Sequence, residues 1–209
     1  GSTILGKNTV FEENGSKCQA IIDHKTYEVC IPIGGEHFVS NSLCALAVAK
    51  ALEIPIEKAL KGIEQFELTK KRMEMKKSKN GVTIINDCYN ANYDSMKAAL
   101  DYVGKLPTKR KIAVLGDMLE LGEYSKELHE KVGKEVVRNK IDILICVGEE
   151  VKYLIEQVKK DGMEGSNIFF CKTNEEAITL LEQKLQSEDV VLLKASNSLN
   201  FTQICEAIL

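Results

Sequence analysis

The chain has 209 residues, 44% of them hydrophobic and 28% charged, and a formal net charge of −3. That length allows one or two domains with a substantial core, and the charge balance with no long basic tract excludes a nucleic-acid footprint. No apolar run approaches a membrane span and no signal-peptide pattern opens the chain, so a cytoplasmic protein is expected; Gly1-Ser2 reads as a pair left by tag removal.

Residues 3–36 are strand-rich. Short apolar or alternating runs at Val10-Phe11, 18–22 and 27–33 are separated by turn signals at Asn14-Gly15 and His24-Lys25, which predicts a small antiparallel meander. A helix follows over 40–52, with Leu43, Leu46, Ala47 and Ala51 able to share a face, and a second runs from near Pro55 to about Phe66. Neither helix has a strand of its own before it, so this region reads as the tail of a larger domain. Residues 67–81 shift to a charged composition (Lys70-Lys71-Arg72, then Lys76 to Lys79) and end in an Asn80-Gly81 turn, as expected of a solvated linker and edge hairpin. The boundary is placed within this run, giving regions 3–75 and 76–209.

From Val82 onward strands and helices alternate. Strands are predicted over 82–85, 111–115, 141–147, 168–171 and 190–193, and helices over 96–106, 126–139, 151–161, 175–186 and about 201–209. Apolar, β-branched strands in five βα units predict a buried parallel sheet covered on both faces, an α/β fold of the Rossmann-like, doubly wound kind. The seven cysteines are scattered, none in a Cys-x-x-Cys pair and several inside apolar runs, which reads as buried thiols in a reducing compartment rather than a disulfide or zinc framework.

In such a sheet ligands bind beyond the carboxyl ends of the strands. That criterion selects loops at 86–95, 116–124, 148–150 and 194–200. The first empties a strand into Asn86-Asp87-Cys88-Tyr89-Asn90-Ala91-Asn92 at the head of a helix, which suits a ligand site and equally an ordinary capped connection with Asp94 or Ser95 as N-cap. Gly116-Asp117 offers close backbone approach with a carboxylate beside it, or simply a helix entrance that tucks Met118 and Leu121 into the core. Lys194-Ala195-Ser196 precedes the last helix and suits an anion, or serves as a cap beside a surface lysine. The chain contains neither Gly-x-Gly-x-x-Gly nor a P-loop, His24, His37 and His129 lie far apart without metal-ligand spacing, and no Ser-His or Cys-His pairing is readable. No metal site is expected.

Several motifs resemble the Mur ligases. They are Gly35-Glu36-His37 with Asn41 opening an Ala-rich helix, Lys71-Arg72-Met73-Glu74, Asn86 to Asn92 with Asp94-Ser95-Met96, and Ala113 to Gly122 with Ser125 and Leu128-His129. Within that family the last two runs are similar to the branch that adds D-alanyl-D-alanine to UDP-N-acetylmuramoyl-tripeptide in peptidoglycan synthesis. The resemblance implies the end of the ATP-binding central domain and all of the C-terminal domain, with ATP and Mg²⁺ used by a full-length parent and the main phosphate and metal ligands outside this chain. It implies an acyl-phosphate reaction, a fragment inactive alone, and a monomer. By position, Asn41 would contact adenine, Arg72 would meet the γ-phosphate as the catalytic cation, Asp87 would take the ribose hydroxyls, and Tyr89 and Asn90 would lie beside the nucleotide. Asn92, Asp117, Lys194 and Ser196 would face D-alanyl-D-alanine. Three positions depart from the pattern: Tyr93 stands for Pro, Lys71 for Gly, and Asn197 for an Arg whose charge it cannot supply. A sister ligase adding another amino acid, and a non-catalytic nucleotide-binding module, remain as alternatives.

Overall fold

The computed structural model describes residues 4–12, 15–67, 71–108 and 110–209. Gly1-Ser2, Asn14 of the first predicted turn and Lys70 of the basic run lie outside the described residues. The chain divides into two compact units, Gly1–Thr69 and Lys70–Leu209.

In the first unit β1 (Ile4–Glu12), β2 (Gly15–Ile22) and β3 (Lys25–Ile31) form an antiparallel meander in the order β1-β2-β3. Alternation along β2 buries Ser16, Cys18, Ala20 and Ile22 on one face and leaves Lys17 and Gln19 outside. The β2–β3 turn falls on Asp23-His24, one residue earlier than the composition suggests, and both residues take the positive φ (47° and 65°) that matches the twist of a two-residue hairpin. Two helices follow, α1 (Glu36–Ala51) and α2 (Ile56–Glu64). The buried stripe of α1 is Val39, Ser42, Leu46 and Ala49 rather than the face through Leu43, Ala47 and Ala51; only Leu46 is common to both.

The second unit is a six-stranded sheet in the order β4-β5-β9-β6-β7-β8. Its edge, β4 (Glu74–Lys77), pairs antiparallel with β5 (Thr83–Asn86), so Glu74 and Met75 belong to this sheet. The remaining strands, β6 (Lys111–Gly116), β7 (Ile143–Val147), β8 (Ile168–Cys171) and β9 (Val190–Lys194), run parallel to β5. The helices are α3 (Tyr93–Lys105), α4 (Ser125–Arg138), α5 (Val151–Lys160), α6 (Asn174–Lys184) and α7 (Thr202–Ala207). One face of the sheet packs Ile84, Ile112, Val114, Ile145, Val191 and Leu193 against Ala177 and Leu181 of α6 and Ile204 and Cys205 of α7. Their strand neighbours Ile85, Ala113, Leu115, Leu144 and Leu192 point the other way and are fully buried, on the side of the contiguous α3, α4 and α5. The sheet is therefore mostly parallel and covered on both faces, as the apolar strands predict. All seven cysteines are free, five of them buried.

The chain steps outward from β6 to β8, then returns to insert β9 between β5 and β6. That reversal sets the carboxyl ends of β5, β9 and β6 side by side.

Candidate functional site

The three strand ends deliver Asp87, Lys194 and Asp117 to one edge of the second unit. Lys194, 1% exposed, places its ammonium 2.5 Å from Asp87 Oδ2, 3.1 Å from Asn90 O and 3.4 Å from Asp87 O. All three ammonium hydrogens thus have acceptors on one loop. The other Asp87 oxygen, Oδ1, accepts from the Met73 amide at 3.1 Å. Cys88 donates its thiol to Leu193 O at 3.1 Å, and burial pushes that thiol's pKa far up, so it stays protonated and ties the loop to β9.

Above this pair, Arg72 lays its guanidinium over the Tyr89 ring, 4.1 Å from the centroid, on a half-exposed surface. Asn90 Oδ1 accepts from Ala91 N at 2.8 Å. Asn92, not Asp94 or Ser95, is the N-cap of α3: its Oδ1 accepts from Ser95 N at 2.9 Å while Ser95 Oγ accepts from Asn92 N at 3.1 Å. The asparagine wins because the helix begins at Tyr93, which makes Ser95 the third helical residue and completes a reciprocal cap. Tyr93 therefore occupies the first helical position, where the backbone N–H has no intrahelical partner and proline is favoured for lacking it. Its hydroxyl donates to Glu135 Oε1 on α4 at 3.1 Å, and burial followed by that contact raises its pKa.

Asp117 is buried with both oxygens engaged, Oδ2 by Glu149 N and Oδ1 by Val151 N, each at 2.9 Å, and so caps the entrance to α5 from a neighbouring strand. Gly148 allows this: its φ is 130°, and a Cβ there would lie 2.5 Å from the Asp117 carboxylate. Ser196 Oγ accepts from Leu119 N at 3.0 Å, and Ser196 N donates to Asp117 O at 3.2 Å. Gly116 provides close approach, but to the chain itself: a Cβ would lie within 2.8 Å of Ala195, Leu199 and Phe201 side-chain atoms. Met118 is buried as expected, whereas Leu121 is only partly buried.

A Ser-His pairing does exist. Ser125 and His129 are four apart on α4, a spacing that the amphipathic pattern could have flagged. Ser125 Oγ donates to Glu150 Oε2 at 2.6 Å, His129 Nδ1 lies 2.8 Å from Ser125 O and 3.3 Å from Ser125 Oγ, and His129 Nε2 accepts from Met118 N at 3.1 Å. The serine proton points to the glutamate and the basic ring nitrogen to a backbone amide, so the cluster clasps the 117–125 loop and offers no activated nucleophile.

Beside Asp117, an open cleft of about 360 Å³ runs between Gly148-Glu149 and Lys172 to Glu175, floored by Val147 and Leu199. In the first unit, Asn41 is exposed on α1 and lines an apolar groove of about 550 Å³ with Phe38, Ala45, Lys58 and Phe66. Of the predicted site residues, Arg72, Asp87, Tyr89, Asn90 and Lys194 come together directly. Asn92 caps the helix that follows their loop, and Asp117 and Ser196 form an adjoining network. Among the described residues no group of three or more His, Cys, Asp or Glu is placed to hold a metal ion.

The family model described as Mur ligase, glutamate ligase domain, matches residues 71–197. The UDP-N-acetylmuramoyl-tripeptide–D-alanyl-D-alanine ligase of Bacillus subtilis (strain 168) is 32% identical over 180 residues, covering 86% of this chain and 39% of that protein. A crystal structure of MurF from Acinetobacter baumannii aligns with a TM-score of 0.86 at 25% identity, over 100% of this chain and 45% of that one. MurF ligase from Thermotoga maritima, solved in complex with ADP, shares the fold with a TM-score of 0.83 at 22% identity, over 100% of this chain and 46% of that one. The chain spans less than half the length of each of these proteins.

Proposed function

Since the chain belongs to the Mur ligase family, whose glutamate ligase domain it carries at residues 71–197, we propose that it is part of an ATP-dependent ligase that joins D-alanyl-D-alanine to UDP-N-acetylmuramoyl-tripeptide. The observation that carries this reading is the convergence, on one strand end, of a surface guanidinium at Arg72 with the Asp87 carboxylate and the Tyr89 ring. A guanidinium suits a phosphoryl group and a carboxylate suits a ribose diol.

In the reaction so assigned, the tripeptide carboxylate takes the γ-phosphoryl group of ATP and ADP leaves. The dipeptide amine then adds to the acyl phosphate, and the tetrahedral intermediate loses a proton and expels phosphate. Catalysis of this kind is mostly positioning and charge neutralisation. Arg72 meets the transferred group, Asp87 the ribose, Tyr89 and Asn90 the nucleotide flank, and Asn41 the adenine. Asn92 and Ser196 face the dipeptide, with Asp117 beside them; Lys194 serves that side by fixing the loop after β5, because all three of its donors are already taken. Among the described residues no group of three or more His, Cys, Asp or Glu is placed to hold Mg²⁺, and its main ligands are assigned to the rest of a parent that works in the cytoplasm. This chain alone is inactive.

The test is phosphate release by the full-length parent given ATP, the UDP-linked tripeptide and one acceptor at a time. D-alanyl-D-alanine supports turnover, whereas D-glutamate, L-alanine and diaminopimelate do not. Turnover with a single amino acid instead would assign the chain to a sister ligase, and turnover by the isolated 209-residue chain would refute its inactivity.

A further inference from the structure

Arg72 sits on a turn that is strained and then tied down. Lys71 and Met73, on either side of it, both have positive φ, 68° and 47°. Non-glycine residues hold such conformations only where surrounding contacts over-determine them, and such residues cluster at functional sites. Here the contacts come from the β4 edge and the loop after β5. Lys71 N donates to Glu74 Oε2 at 3.3 Å, Tyr89 N donates to Lys71 O at 3.0 Å, and Met73 N donates to Asp87 Oδ1 at 3.1 Å. The Asp87 carboxylate, only 14% exposed, is itself held by Lys194.

We infer that Lys194 is a positioning residue for Arg72: its buried ammonium fixes the Asp87 carboxylate, whose second oxygen fixes the strained turn that presents the guanidinium. The ammonium is suited to this as a compact charge with three divergent donors, which reach three oxygens of one loop. A direct part in binding the dipeptide carboxylate would require it to abandon those oxygens for a ligand outside the core. What Arg72 acts on rests on the ligase reading, but the mount is a property of this fold alone.

The test uses the ¹⁵N-labelled 209-residue chain without nucleotide, comparing wild type with Lys194→Met and Asp87→Asn. Two signals report the mount: hydrogen exchange at the Met73 amide and the ring-current shift of the Arg72 Nε–H resonance from Tyr89. Lys194→Met speeds Met73 exchange about tenfold or more, as expected for loss of a hydrogen bond to a charged group, and collapses the Arg72 shift. The amides of Val114 and Leu144 in the sheet centre keep their rates. Asp87→Asn, which preserves size, moves the same signals less far and decides the question where Lys194→Met does not fold. The inference is overturned if a folded Lys194→Met leaves both signals in place, or if Asp87→Asn does so when Lys194→Met fails to fold. It is also overturned if Lys194→Met abolishes shifts induced by D-alanyl-D-alanine without disturbing Arg72, because Lys194 is then a ligand. Neither signal needs turnover, so failure of the ligase reading leaves the mount standing, and failure of the mount leaves the ligase reading to the parent's turnover assay.

Discussion

Each end of the parallel sheet carries an ion pair between neighbouring segments. At the amino ends of the strands, Arg110, just before β6, grips Asp189, just before β9, with Nε and a terminal nitrogen at 2.7 and 2.5 Å. The same terminal nitrogen donates to Lys184 O at 2.6 Å, and Asp189 Oδ2 also accepts from Gln186 N at 2.8 Å. At the carboxyl ends Lys194 meets Asp87. The lower pair uses the planar fork of arginine, a quarter exposed, to pin two chain entries together. The upper pair uses a fully buried ammonium and hands its constraint on to a strained turn bearing an exposed arginine. One pair holds the fold; the other also sets the geometry of a surface cation.

The sharpest way to break this comparison is to remove one partner from each end. Lys194→Met strands a largely buried carboxylate and costs about 3–5 kcal/mol in urea unfolding. Asp189→Ala costs less, about 2–3 kcal/mol, because Arg110 can turn toward water, and it leaves the Arg72 resonance unmoved. If Asp189→Ala shifts that resonance as far as Lys194→Met does, the two ends do not differ in kind. Next in size, Asp117→Ala removes two charge-assisted bonds at the entrance to α5 and costs about 2 kcal/mol, with faster exchange at the Glu149 and Val151 amides. Asn92→Ala, losing a reciprocal cap, costs about 1 kcal/mol, and fraying is confined to the first turn of α3.

The smallest effect is a pH dependence away from the upper edge. Burial alone would raise the Asp101 pKa, but hydrogen bonds from Lys97, Asn139 and Arg138 outweigh it and hold the carboxyl below its ordinary value. A carboxyl depressed in the folded state binds its proton more weakly there than in the unfolded chain. Its contribution is therefore complete above the unfolded value of about 3.9 and is lost as pH falls through the lower folded value. Asp101→Asn should flatten the acid limb of the stability curve without altering the Met73 amide; a parallel curve would show that Asp101 does not contribute to it.

Much of this was legible in the sequence, and for identifiable reasons. Runs such as Ile143 to Val147 and Val190 to Leu193 are apolar throughout, which suits a strand covered on both faces, and the helices between them carry a helical period. The motif around Asp87 and the pair Lys194 and Ser196 stood out by position, at strand ends. Other features were not legible. The cap role of Asn92 is hidden because nothing local in the sequence starts α3 at Tyr93 rather than a few residues later. Gly116 looked like a ligand approach because the Phe201 and Leu199 that fill its space lie far along the chain. Nothing in Lys71-Arg72-Met73 announces positive φ, because the strain is imposed by partners at Glu74, Asp87 and Tyr89.

By itself the sequence determined the elements and their class, since hydrophobic period and chain punctuation act over a few residues. Only the tertiary structure decided that β9 enters between β5 and β6, and with it the roles of the charged groups. Lys194 reads as a surface lysine at a helix entrance until it is placed beside Asp87, more than a hundred residues away; there its ammonium is enclosed by one carboxylate and two carbonyls. A buried charge persists only where such partners are brought to it, and strand order is what brings them.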